Sequence, residues 1–361
     1  MPACDFCKVD SKTRLKRCIC KKASYCSKEC QINDWRNHKH SCPPFTIRDF
    51  PGKGRGLFAT RRIKEGQIIL EEYPLFTFSF ASFSLHEFTT KIYTNLGEET
   101  KATIFKLNDP VDIFEFRGKN YNFFEDYLNH QFKQLLMEKC SEEMTKILRI
   151  MIGNRINICP DPDLYRNHTQ AGLFANISLI NHSCLPNAVD SWVMGDFKRH
   201  QVRALRDIEK DEEILVSHWQ SWAQFQWGSR EFRRQELLED RGFLCECSEC
   251  SLEGEELEDR ERMRAEIREK KAEVSQLLRD GWSRRDVKKA MKVVQQRVNL
   301  VQKLNIRYMF ASAMVDFYVA ATDAKNLGIS APDPEKFKQE ALKYAKKYGD
   351  ALTYYCKKSF Q

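Results

Sequence analysis

Cys4, Cys7, Cys18, Cys20, Cys26, Cys30, His38 and Cys42 follow one another at the short intervals typical of metal ligands. Eight thiol and imidazole ligands are enough for two closed tetrahedral zinc sites. A segment this short cannot bury enough apolar surface to fold alone, so the metal would supply most of its folding free energy. Far along the chain, Cys245-x-Cys247-x2-Cys250 offers three more thiols. Three is one short of a closed site, and Cys184 is the natural fourth, tying that segment back to the centre of the chain.

The elements that would hold these residues are short. Residues 56–59, 67–72, 189–194, 201–205 and 214–217 alternate in the manner of strands, with turns rich in Gly, Asp and Pro between them. Residues 27–40 read as a helix with Ser27 as N-cap and Trp35 available to pack inward. Residues 122–140 carry a broad apolar and aromatic stripe, read as a core-facing helix. The charged run 255–271 reads as a solvated helical face, and 260–304, 308–327 and 334–357 as helices. At 361 residues, with 42% hydrophobic and 30% charged residues, more than one core is expected.

Taken together, Gly54-Arg55-Gly56, the segment Asn181-His182-Ser183-Cys184-x-Pro186-Asn187 and the cysteines around Cys247 resemble the SET domain of protein lysine methyltransferases. The N-terminal spacing, with its Tyr25-Cys26 pair, resembles a MYND zinc finger. The whole is therefore similar to the SET-and-MYND family, although here the finger precedes a contiguous SET domain. The resemblance implies an α+β architecture: a MYND finger over 1–43, then a SET β-fold over 44–252. That fold would carry a helical insert near 83–150 and a post-SET zinc segment at 243–252, and an α-helical domain would follow over 253–361. It further implies interleaved finger sites, with Cys4, Cys7, Cys26 and Cys30 on one zinc and Cys18, Cys20, His38 and Cys42 on the other.

Carried over residue by residue, the resemblance gives S-adenosylmethionine a site on Lys53, Gly54, Arg55, Gly56, Asn181 and His182, with Phe243 near its adenine. The cofactor would meet a target lysine in a narrow channel. Methyl transfer from a sulfonium needs in-line geometry and a neutral amine, so such a site works by positioning and by shedding the lysine's proton. The family's channel tyrosine stands here as His218, and a second channel tyrosine as Arg241. Three readings of His218 stand side by side: an inert replacement, a group doing the tyrosine's work in altered form, or one wall of a channel reshaped by Trp219, Trp222 or Tyr165.

The formal charge of +8 is concentrated at the N-terminus. Eleven thiolates and three divalent ions would lower it to about +3, which weakens an argument for nucleic-acid binding. No apolar run approaches the roughly 20 residues of a spanning helix, and cysteines occupy the place of a signal peptide. The expectation is a monomeric protein of the cytoplasm and nucleus that methylates a lysine of a histone or other protein, its finger binding a proline-containing peptide. The competing expectation is a catalytically impaired adaptor that recruits protein partners.

Overall fold

In the computed structural model, residues 3–9, 15–18, 22–38, 42–50, 54–79, 85–110, 140–158, 170–218, 228–277 and 283–360 are described. Cys20, Lys53, Tyr165, Trp219, Trp222 and nearly all of the stripe at 122–140 lie outside them. The chain is α+β. Strands β1 (Lys16–Arg17) and β2 (Ser24–Tyr25) pair antiparallel ahead of the helix Lys28–His38. Ser27 caps that helix, its hydroxyl accepting from the Cys30 N–H at 3.2 Å.

Trp35 does not pack inward as the sequence suggested. It stays 37% exposed, with the Arg61 guanidinium 5.2 Å over its ring. The finger's small core consists of Tyr25, Ala23 and the buried cysteines, which leaves the indole to a cation at the surface.

Ten further strands follow: β3 (Phe45–Phe50), β4 (Gly54–Ala59), β5 (Ile68–Glu72), β6 (Phe76–Ser79), β7 (Ile156–Ile158), β8 (Gln170–Leu173), β9 (Asn181–His182), β10 (Ala188–Val193), β11 (Asp196–Ala204) and β12 (Glu213–Val216). They form three small sheets, ordered β3-β4-β12-β9, β10-β11-β5 and β6-β8-β7. All of these pairings are antiparallel except β12 with β9, where Leu215 stands beside Asn181 and Val216 beside His182. Inward residues of these sheets, among them Leu57, Ile69, Leu173 and Ile214, pack with Ile147, Leu148, Ile150 and Met151 of the helix Glu142–Asn154. Full burial of each such side chain contributes roughly 1.5–3 kcal/mol.

The C-terminal region holds the helices Gly254–Leu277, Arg284–Lys303, Arg307–Asn326, Pro334–Tyr348 and Asp350–Lys358. The sequence had suggested unbroken helices over 260–304 and 334–357. Instead, Ser283 starts a new helix by accepting from the Asp286 N–H at 3.1 Å. The last helix is broken at Gly349, whose φ of 132° favours glycine. A side chain at 349 would also sit 2.5 Å from Ser191 Oγ, so this break lets the C-terminal helices press onto β10.

The run 255–271 is not simply a solvated face. Arg264 and Ile267 are buried, and Arg260 and Arg264 both pair with Glu249. Charge patterning misled here because buried guanidiniums with a carboxylate partner look the same in sequence as exposed ones. No helix among the described residues is long and apolar enough to cross a membrane.

Candidate functional site

Three cysteine-rich clusters fasten the chain. Cys4, Cys7, Cys26 and Cys30 offer ligand atoms all within 4.8 Å of one another, as do Cys18, His38 and Cys42, and as do Cys184, Cys245, Cys247 and Cys250. Neighbouring sulfurs stand 3.6 Å apart in Cys7–Cys26, 3.8 Å in Cys18–Cys42 and 3.6 Å in Cys184–Cys250. A disulfide would hold them at about 2.05 Å. Four sulfurs around a tetrahedral zinc, at about 2.3 Å from it, stand about 3.8 Å apart, so the donor sets fit that ion.

The third cluster carries its own counter-charge. Burial works against a charge on Arg233, but the sulfur of Cys184 and the carboxylate of Glu261 outweigh it and push the guanidinium further up. A buried cation beside four cysteines would offset part of the net −2 of a zinc tetrathiolate. Arg233 was not singled out from sequence, and neither was Glu249, which lies between Cys247 and Cys250 and takes Arg260 and Arg264 at 2.6 and 2.7 Å.

This cluster adjoins the central pair of residues. The backbone N–H of His218 donates to Nδ1 of His182 at 3.0 Å. A neutral imidazole then keeps its proton on Nε2, which lies 3.4 Å from Cys184 Sγ and can donate to it. Burial, followed by the neighbouring His218, holds His182 well below the ordinary histidine range. With both ring nitrogens engaged inside the protein, the ring of His182 is a strut between β12 and the cysteine cluster. The rings of His182, His218 and Phe243 meet with centroids 5.5 to 6.1 Å apart.

Gly54, Arg55 and Gly56 reach the same place from β4. A Cβ on Gly56 would stand 2.7 Å from Glu213 Oε1 and 2.9 Å from Asn181 Nδ2, so a side chain there would have to displace the ends of those two side chains. Asn181 Nδ2 donates to Glu213 Oε1 at 2.7 Å. Asn187 clamps the far side, accepting from the Leu215 N–H at 2.8 Å and donating to the Glu213 carbonyl at 2.7 Å. Arg55 is partly exposed and only loosely paired with Asp49, at 3.8 Å.

His218 and Arg241 form one unit. His218 Nε2–H donates to the Ile180 carbonyl at 2.7 Å. Burial, and then the Arg241 charge, lower its pKa to about 4, so the ring is neutral at physiological pH. Arg241 donates to the carbonyls of His218 at 2.9 Å, Arg155 at 2.6 Å and Gly153 at 3.2 Å, and pairs with Asp240 at 2.9 Å. Beside them lies a cavity of about 40 Å³ lined by residues that include Asn154, Ser178, Asp190, Ser217, His218 and Arg241.

Sequence comparison agrees with this geometry. The family descriptions "SET domain" and "MYND finger" match residues 54–218 and 4–42. N-lysine methyltransferase SMYD2 of Homo sapiens is 28% identical over 267 residues, which is 73% of this chain and 53% of that one. Histone-lysine N-methyltransferase ASHR1 of Arabidopsis thaliana is 27% identical over 254 residues, covering 69% and 46%. The chain thus spans about half the length of the curated relatives it matches. The solved SET domain of LSMT bound to lysine and AdoHcy aligns over 91% of this chain and 89% of that one, at 11% identity. Its TM-score is 0.37, too loose a likeness to place residues by. A MYND finger followed by a SET domain, both closed by clustered cysteines, places the chain in the family of SET and MYND domain-containing proteins.

Proposed function

We propose that this protein binds S-adenosylmethionine and transfers its methyl group to a lysine of a histone or other protein, in the cytoplasm or nucleus. The observation that carries this reading is the convergence of Gly56 and Asn181, where a Cβ on the glycine would stand 2.9 Å from Asn181 Nδ2, beside the paired strands β9 and β12. The names of the curated relatives support it. When bound, the cofactor supplies an electrophilic methyl group on a sulfonium.

In this reading the backbone of 53–56 and the 181–182 segment hold the cofactor, with Phe243 against its adenine. His218 is a positioning residue at the tyrosine's place. Neutral, and tied to the Ile180 carbonyl, it keeps Nδ1 as its remaining acceptor. Zinc occupies all three clusters, Cys20 completing the Cys18, His38 and Cys42 set, and the chain divides into 1–43, 44–252 and 253–361. The finger leaves Phe6, Val9, Ile32 and Trp35 exposed, which supports a peptide partner there.

Calorimetry with S-adenosylmethionine, followed by transfer of radiolabelled methyl groups into mixed cell-extract protein, tests the proposal. Wild type binds and labels, and Gly56→Ala loses the binding. A folded, zinc-loaded wild type with no affinity for the cofactor would overturn it. Cofactor binding without labelling would instead favour the adaptor reading, which the replacement of both channel tyrosines by the locked His218 and Arg241 pair supports.

A further inference from the structure

The cavity beside His218 contains one carboxylate that makes no hydrogen bond among the described residues, although the Arg241 charge acts on it from the same cavity. Its guanidiniums are engaged elsewhere: Arg241 donates to three carbonyls and forms an ion pair with Asp240, and Arg155 donates to the Ile152 carbonyl at 2.6 Å and also pairs with Asp240. Asp190 is different. It is the only carboxylate among the described residues that line the cavity, and its side chain is 10% exposed. The His200 ring approaches it, with Nδ1 3.7 Å from Asp190 Oδ2, beyond hydrogen-bond reach.

His200 is itself 2% exposed, and among the described residues neither ring nitrogen has a hydrogen-bond partner. A nearly buried carboxylate with an unpartnered imidazole behind it is a costly arrangement unless a donor arrives from the open side. The open side is the cavity. At about 40 Å³ it has room for roughly three water-sized groups, the size of the last carbons and nitrogen of an aminoalkyl chain.

We propose that Asp190 is a specificity-determining residue: its carboxylate receives the ammonium end of the acceptor side chain in this cavity, with His200 backing it. The inference rests on the methyl-transfer reading for the identity of the acceptor, but the recognition chemistry stands on the cavity alone. An ammonium brings three donors to a carboxylate that has none. The Asp190 carboxylate favours the ammonium as it docks, and the Arg241 charge next door limits how far that carboxylate raises the amine's pKa.

The probe is n-butylammonium chloride against its neutral counterpart 1-butanol, titrated into zinc-loaded full-length protein at pH 7.5 while the histidine ring resonances are followed by NMR. Wild type responds to the ammonium at His218 and His200 and not to the alcohol. Asp190→Asn weakens the response by about tenfold or more, the loss expected for a charge-assisted hydrogen bond, and Asp190→Glu restores part of it. Equal binding of ammonium and alcohol to wild type, or equal ammonium binding by wild type and a folded Asp190→Asn, would overturn the proposal. The wild-type comparison decides it even if the variant does not fold. Calorimetry with S-adenosylmethionine on the same samples separates the two ideas: ammonium selectivity without cofactor affinity sinks the methyl-transfer reading and leaves Asp190 in place, and cofactor affinity without ammonium selectivity does the reverse.

Discussion

Arg241 donates through Nη2 to the backbone carbonyl of His218 at 2.9 Å, so the two residues read from the sequence as replacing channel tyrosines are a single hydrogen-bonded unit in this protein. A guanidinium reaching three carbonyls cannot be exchanged for a phenol without leaving acceptors bare, nor can His218 move without disturbing the strut to His182.

Replacing Arg241 by Met should therefore destabilise the protein by about 3–5 kcal/mol, because the Gly153, Arg155 and His218 carbonyls and Asp240 lose their partner together. Urea unfolding of the two proteins measures the difference. A change below about 1 kcal/mol would mean that the carbonyls find other donors.

Acid should weaken the fold through His218. Its pKa falls from the ordinary 6.5 to about 4 on folding, so between those values the unfolded chain binds a proton that the folded one refuses. Stability from this group is thus complete above pH 6.5, declines as pH falls towards 4, and is constant below that; the decline is no more than about 3 kcal/mol. Unfolding of wild type and His218→Gln at pH 7.5 and 5 isolates the effect, since the cysteine clusters contribute equally to both. The wild type loses more stability than the variant over that interval, and parallel losses would refute the assignment.

Metal analysis should return three zinc ions per chain. Cys26→Ser should remove one of them and Cys245→Ser another, each leaving the remaining sites filled. The second variant alone should also disturb the His182 resonances, because its cluster shares Cys184 with that ring. Strong chelators should unfold the finger, which has little other core.

Glu249→Ala should cost about 3–5 kcal/mol, the range for breaking a buried ion pair, by removing the carboxylate that pairs with Arg260 and Arg264 next to the third cluster. Thermal melting with zinc content read in parallel tells loss of the pair from loss of the metal. A variant as stable as wild type would show that the arginines are solvated instead.

The sequence by itself determined the chemistry that local spacing encodes. Ligand intervals such as Cys4-x2-Cys7 and Cys247-x2-Cys250 fit metal because both thiols must reach one ion, and that constraint is written in the chain. The capping of the first helix by Ser27 was legible for the same kind of reason, whereas Gly56 and Asn181 were marked only by the resemblance of their motifs to a family. Tertiary structure alone decided what each buried polar group faces. Nothing local distinguishes Asp190 on its strand, Arg233 and Arg264 on charged helices, or Glu249 between two cysteines from solvent-exposed residues. Their roles come from partners tens of residues away, and the free energy of a buried charge depends on those partners rather than on its neighbours in the chain. His182 shows both sides: its motif marked it as central, but only the fold showed that its ring is engaged at both nitrogens, between the backbone of His218 and the sulfur of Cys184.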